Sequence, residues 1–286
     1  MENVSDLDYG ETLRGFREGQ TVFGRYRLEK TLGRGGMGVV WLGWDGKLER
    51  NVALKFLPEM VARDRMAVND LKRETKRCLD ITHPNIVRVY DFLEDEARGV
   101  AGISMEYVDG NNLSNLRADR EDRCFEVREL SEWVKTLCEA LEYAHGEVKV
   151  VHRDLKPANL MVTSEGKLKM ADFGIARSLV DSMSRVSANV GSSSGTLVYM
   201  SPQQAMGKPA SPLDDIYALG ATLYDLLTGR PPFYTGNIYE QLKEVTAPSV
   251  GARREELQAG KEPVPNEWEE TIAACLETGR RPANCK

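Results

Sequence analysis

Near residue 108 the apolar spacing of this chain changes from alternation to the three- and four-residue intervals of helices, and that switch limits the fold more than any other feature. Upstream, the runs YRLEKTL (26–32), VVWLGW (39–44) and NVALKFL (51–57), the last closed by Pro58, predict three antiparallel strands. A helical stretch over 66–81 carries Val68, Leu71 and Cys78 on one stripe, with Glu74 on that same stripe. Two further strands are predicted around IVRVYDF and GISMEYV. Downstream, Leu130, Trp133, Val134, Leu137, Leu141 and Ala144 predict a helix over 127–145 ended by Gly146. Ile216, Leu219, Leu223, Leu226 and Leu227 predict a second over 214–228, stopped by Gly229. A strand-rich part followed by a helix-rich part predicts two lobes with a cleft between them, a common ligand site.

Composition narrows the classes. With 38 Lys+Arg against 44 Asp+Glu the net charge is −6, and no basic tract argues for a nucleic-acid partner. No window approaches the roughly 18 apolar residues of a membrane span. The five cysteines are scattered without a C-x-x-C pair, and there are only three histidines, so neither zinc nor a disulfide framework is expected. Residues 1–20 are acidic, lack an apolar core and read as an extension rather than a signal peptide. The expectation is a cytoplasmic protein.

Three places could carry chemistry. The turn Gly33-Arg34-Gly35-Gly36-Met37-Gly38 joins two strands, where backbone N–H groups can approach phosphates without Cβ interference; a tight hairpin is the competing reading. No Lys-Ser/Thr follows it, so it is not a Walker loop. Alternation in the third strand puts Ala53, Lys55 and Leu57 on one face, so Lys55 lies among apolar neighbours and needs an anion. Glu74 has the complementary need, and pairing satisfies both, although a lysine that snorkels to water would not require it. Finally, Val150 to Asn159 (VVHRDLKPAN) is kept irregular by Pro157, and Asp172-Phe173-Gly174 follows eighteen residues after Asp154. Two carboxylates and an Asn on loops can hold Mg²⁺ beside phosphates, whereas either Asp alone is more often a turn cap.

In order and spacing these residues resemble the protein-kinase signature set over roughly residues 22–283. That resemblance implies an α+β, bilobal protein-kinase fold: a small antiparallel β-sheet N-lobe with one main helix over 21–106, and a large helical C-lobe over 107–286. It implies ATP and Mg²⁺ as cofactors, with Mn²⁺ able to substitute. Leu32, Gly33, Gly35, Gly36, Gly38, Val40, Ala53 and Met161 would surround the nucleotide, Met105 would be the gatekeeper, and Glu106, Tyr107 and Val108 the hinge. Lys55 would hold phosphates and pair with Glu74. Asp154 would accept the substrate proton, Lys156 would stabilise the moving phosphoryl group, and Asn159 and Asp172 would bind metal. Lys156 with Thr196 resembles a serine/threonine kinase, and the wording of the motifs resembles bacterial Hanks-type members. The partners implied are proteins with Ser/Thr acceptors, including the chain itself. Asp215 would brace the catalytic loop, and His152, Phe173, Cys78 and Val89 would form a packed spine.

Departures accompany the match. Ser201-Pro202-Gln203 stands where the family usually has Ala-Pro-Glu, which weakens an expected ion pair with Arg281. The chain stops at Lys286, where the family continues into one more helix, so either the fold lacks that helix or, as is favoured, the sequence was cut from a longer protein that could carry a sensor domain or membrane anchor beyond residue 286. The Ser-rich stretch 178–194 resembles an activation segment, with Arg153 placed to meet phosphate on Ser187, Ser192, Ser193 or Ser194. Ala158 and Asn112 give no support for a strong basic-substrate preference. Besides an active kinase, a nucleotide-binding pseudokinase scaffold and a small-molecule phosphotransferase fit parts of the pattern, the last least well because His152 to Pro157 and Ser201-Pro202 seat peptides.

Overall fold

The computed structural model describes residues 16–35, 38–173 and 197–278. They fall into two compact units, the first holding the residues up to Thr82 and Val87–Val108, the second His83–Ile86 and the residues from Asp109 onward.

The first unit is built on an antiparallel six-stranded sheet. Its strands are β1 (Thr21–Val22), β2 (Tyr26–Gly35), β3 (Gly38–Asp45), β4 (Arg50–Phe56), β5 (Val89–Asp95) and β6 (Val100–Glu106), in the order β1-β2-β3-β4-β6-β5. Alternation decides its faces: Tyr26, Leu28, Val39, Trp41, Val52, Leu54 and Phe56 form one core. Phe16 lies on Phe56 with ring centroids 4.3 Å apart, so the end of the acidic extension is docked on this core. After the short α1 (Glu59–Ala62), α2 (Arg65–Leu79) starts at Asp64, whose carboxylate accepts from the Ala67 amide at 2.8 Å. It buries Val68, Leu71, Glu74, Thr75 and Cys78, the stripe expected from the sequence.

The second unit is mainly helical, with a three-stranded antiparallel sheet of β7 (Gly110–Asn112), β8 (Leu160–Thr163) and β9 (Leu168–Met170). Its helices are α3 (Leu113–Ala118), α4 (Val127–Tyr143), α5 (Pro202–Ala205), α6 (Pro212–Thr228), α7 (Ile238–Glu244), α8 (Val250–Leu257) and α9 (Asn266–Thr278). The central helix is α6, buried along nearly its whole length from Asp214 to Thr228. Ser211 and Asp214 form a capping box at its start and Gly229, at φ 82°, ends it. α9 packs on α6 across Gly220, where a Cβ would come within 2.6 Å of the Cys275 Cβ. Among the described residues no helix is long and apolar enough to cross a membrane.

Two boundaries differ from the sequence expectation. Helix α4 does not end at Gly146: it passes at Tyr143 into a π-turn over Ala144–Val148, and Lys149, at φ 60°, reverses the chain. The strand expected from Ile86 begins at Val89, because Ile86 bridges to Met170 and Asn85 donates to the Leu168 carbonyl in the second unit.

Candidate active site

Strand register in the first unit brings the expected nucleotide residues to one sheet face. Val40 pairs with Lys55, Lys55 with Ile103, and Ala53 with Met105, so these side chains share the face opposite Trp41 and Leu54. Gly33 pairs with Val40 and Gly35 with Gly38 across the hairpin. Gly38 adopts φ 112°, and an added Cβ there would collide with the Phe56 carbonyl oxygen, so glycine is required for the turn to close on β4. Leu32, Gly33 and Gly35 are exposed, whereas Ala53 and Met105 are buried. Glu106 is tied to Arg88 through its amide (2.8 Å to the Arg88 carbonyl) and its carboxylate, which accepts from the Arg88 amide at 3.2 Å; Val108 is half-buried. Gly36 lies outside the described residues.

Lys55 and Glu74 are both buried, as their flanking residues require. The ion pair expected between them is not formed: among the described residues Glu74 pairs with Arg77, one turn along α2, at 3.2 Å. An i,i+3 neighbour is always within reach on a helix, so a local cation can take this carboxylate without any tertiary rearrangement.

The second unit concentrates its polar chemistry on the loop after α4. Asp154 is 6% exposed, and Lys156 Nζ lies 3.0 Å from Oδ1 and 2.9 Å from Oδ2. Asn159 Nδ2 donates to the Asp154 carbonyl at 2.7 Å and to Oδ2 at 2.9 Å. The loop is held from beneath by fully buried Asp215, which accepts from the amides of His152 (2.7 Å) and Arg153 (2.8 Å) and also meets His145 Nε2 at 2.7 Å. The His152 ring contacts Phe173, centroids 4.5 Å apart, with its Nε2 on the Ala171 carbonyl at 2.8 Å.

The Ala171 amide donates to the Asn159 carbonyl at 2.9 Å, which sets the start of the Asp172 segment beside Asn159. Asp172 takes φ 64°, a left-handed conformation that Asp tolerates better than most residues. Asn159 Oδ1 makes no hydrogen bond among the described residues, leaving one oxygen for a ligand. Among those residues no cluster of three or more His, Cys, Asp or Glu forms a metal cage. An Asn oxygen plus one carboxylate fits a cation that keeps its waters and shares phosphate oxygens, as Mg²⁺ does. Met161 is half-buried on β8.

The segment after residue 196 is anchored on α6 by contacts that sequence reasoning missed. Tyr199 Oη donates to Asp225 Oδ2 at 2.8 Å, and Arg117 Nη1 meets Asp225 Oδ1 at 2.9 Å. Burial and the neighbouring carboxylate push the Tyr199 phenol far up, so it is a permanent donor. An aspartate inside the apolar run YALGATLYDLLTG was the available signal. Ser201 Oγ bonds Asp214, and Gln204 Nε2 reaches the Arg153 carbonyl at 2.7 Å. Gln203 Oε1 is buried without a hydrogen-bond partner among the described residues. Thr196, Arg281 and the serines at 187 and 192–194 lie outside those residues.

A family model described as the protein kinase domain matches residues 26–281. Among curated proteins, the chain is 40% identical over 243 residues to a probable serine/threonine-protein kinase of Streptomyces coelicolor, covering 82% of this chain and 35% of that protein. It is 39% identical over 242 residues to the serine/threonine-protein kinase PknB of Mycobacterium tuberculosis, covering 82% of this chain and 38% of PknB. The chain thus spans about a third of the length of these relatives. Among solved structures, the PknI kinase domain of Mycobacterium tuberculosis superposes with a TM-score of 0.70 at 28% identity, over 93% of this chain and 94% of that one.

Proposed function

The chain belongs to the protein kinase domain family, and on that premise we propose that it is a Hanks-type serine/threonine protein kinase that transfers the γ-phosphoryl group of ATP to Ser or Thr hydroxyls. The observation that carries this reading is Asp154, a buried carboxylate oriented by Lys156 and Asn159 on a loop whose amides are held by Asp215. Such an arrangement serves a reaction in which positioning and charge compensation supply most of the rate.

In this reading Asp154 accepts the proton of the substrate hydroxyl as its oxygen bonds to the γ-phosphorus and the bond to the bridging β,γ-oxygen breaks, releasing ADP. Lys156 offsets charge on the moving phosphoryl group, and Lys55 does so on the α- and β-phosphates. Leu32, Gly33, Gly35, Gly36, Gly38, Val40, Ala53, Met105, Glu106, Val108 and Met161 bind the nucleotide. Asn159 and Asp172 would hold Mg²⁺, with Mn²⁺ as a substitute, and the ion would supply neutralisation of the phosphate charge. Glu74 positions Lys55 once it exchanges Arg77 for it, and Thr196 serves the peptide side.

The same reading extends to self-phosphorylation. Arg153 Nε is buried without a hydrogen-bond partner among the described residues, which favours a phosphate on Ser187, Ser192, Ser193 or Ser194 as its ligand. The test is mass spectrometry after incubation with Mg·ATP, comparing wild type with Asp154→Ala and Lys55→Met. Phosphate on wild type alone, with peptides from 178–194 modified, is the expected result. An unmodified wild type that fails on generic Ser/Thr substrates while binding nucleotide would leave a scaffold instead.

A further inference from the structure

Gln204 has no part in the chemistry described so far, yet its side chain reaches the catalytic loop. It sits on the one-turn helix α5, 9% exposed, and its Nε2 donates to the Arg153 carbonyl oxygen at 2.7 Å. That carbonyl belongs to the peptide unit whose N–H is Asp154's own. The Asp154 amide donates to His152 Nδ1 at 3.2 Å. Both ends of the peptide unit preceding the catalytic carboxylate are therefore held, one by His152 and the other by Gln204.

This peptide unit needs holding. Arg153 has φ 69°, a left-handed conformation that costs a non-glycine residue about 1–3 kcal/mol and persists where surroundings over-determine it. Asp215 fixes the amide side of Arg153 at 2.8 Å, and Gln204 fixes its carbonyl side. Gln204 is itself fixed, because its amide donates to Ser201 Oγ at 3.0 Å and that hydroxyl donates to Asp214. Asp214 also accepts from the Ser211 amide at 2.9 Å. The chain Asp215, Arg153, Gln204, Ser201, Asp214 thus closes on itself at two successive residues of α6. Ser201, Asp214 and Asp215 are all 4% exposed or less, so water does not compete for these bonds.

We propose that Gln204 is a positioning residue for phosphoryl transfer: it sets the plane of the Arg153–Asp154 peptide and so ties the aim of the Asp154 carboxylate to the docking of the Ser201–Ala205 segment on α6. Rotation of that peptide moves the Asp154 Cα–Cβ direction, and general-base catalysis depends on the carboxylate lying within hydrogen-bond reach of the hydroxyl. The proposal rests on the assignment of Asp154 as base.

The experiment compares wild type with Gln204→Met, which keeps length without a donor, and Gln204→Glu, which keeps shape and sets a carboxylate against the carbonyl. Steady-state kinetics on a Ser/Thr peptide and hydrogen exchange over 150–156 are measured on the same preparations. The expected result is a kcat lower by about tenfold in both variants, KM for ATP within about twofold of wild type, and faster amide exchange confined to residues 152–154. Wild-type kcat and exchange in Gln204→Met would overturn the proposal, as would a loss spread evenly over the unit with a matching fall in Tm. A wild type that transfers no phosphate would instead strike at the assignment of Asp154, while the exchange data would still decide whether Gln204 holds the loop.

Discussion

Asn159 grips Asp154 twice, its Nδ2 lying 2.7 Å from the Asp154 carbonyl and 2.9 Å from Oδ2. The same residue leaves Oδ1 uncommitted among the described residues. One side chain can thereby orient a base with its nitrogen and offer an oxygen to a cation. Asp154→Asn removes the proton acceptor while keeping the shape, and turnover should fall by about 10²–10⁴-fold with Mg·ATP affinity retained. Nucleotide affinity by calorimetry and turnover on a peptide check this. Unaltered turnover would dismiss Asp154 as the base.

Asp215 is a stability determinant as well as a brace, since it accepts from the His152 and Arg153 amides inside the core. Asp215→Ala strands both donors at about 1–3 kcal/mol each, so a total of about 2–6 kcal/mol is expected in urea unfolding. Asp215→Asn, keeping one acceptor oxygen, should lose about half as much. A loss below about 1 kcal/mol for the Ala variant would mean that the two amides find other acceptors.

Asp45 supplies an acid-sensitive contact in the first unit. Arg25, with Nε at 2.8 Å from its Oδ1 and Nη2 at 2.6 Å from its Oδ2, holds the carboxyl below the ordinary aspartate range, and the Lys47 and Leu48 amides add to this against the cost of burial. A depressed carboxylate adds stability above its unfolded value of about 3.9 and loses it as pH falls through the lower folded value. Wild type should exceed Asp45→Asn by about 1–3 kcal/mol above pH 5, and the gap should close below pH 4. A gap unchanged down to pH 3 would contradict the assignment.

The Glu74–Arg77 pair at 3.2 Å involves an arginine side chain that is 58% exposed, so it contributes only a few tenths of a kcal/mol. If Glu74 must reach Lys55 for catalysis, Arg77→Ala should leave kcat unchanged or raise it by about twofold to fivefold, whereas Glu74→Gln lowers it by more than about tenfold. Equal losses in both variants would indicate that Arg77 itself supports the active arrangement.

Strands and the buried stripe of α2 were legible because each is a local pattern: alternation in β3 and β4, three- and four-residue spacing in Val68, Leu71, Glu74 and Cys78. The bracing of the catalytic loop by Asp215 was legible only through family resemblance, since nothing within a few residues of either partner announces it. Besides the Tyr199 and Arg117 contacts to Asp225, three features escaped. The π-turn after α4 depends on an extra residue that periodicity smooths over. The β7–β9 sheet uses strands of three or four residues, too short for alternation to register. The pairing of Glu74 with Arg77 is a competition between cations, and the sequence pattern pointed only to Lys55.

Adjacent Asp214 and Asp215 at the start of α6 also set an order of events in time. The amides that Asp215 accepts from lie 62 and 63 residues earlier in the chain. A chain growing at about 5–20 residues per second spends roughly 3–13 seconds with the loop around Asp154 already made but α6 still to come. During that interval the left-handed Arg153 has no Asp215 acceptor beneath it, and Gln204 joins the chain only near its end. The loop around Asp154 therefore gains the acceptor beneath the left-handed Arg153 only when the helix that carries Asp215 has been translated and packed.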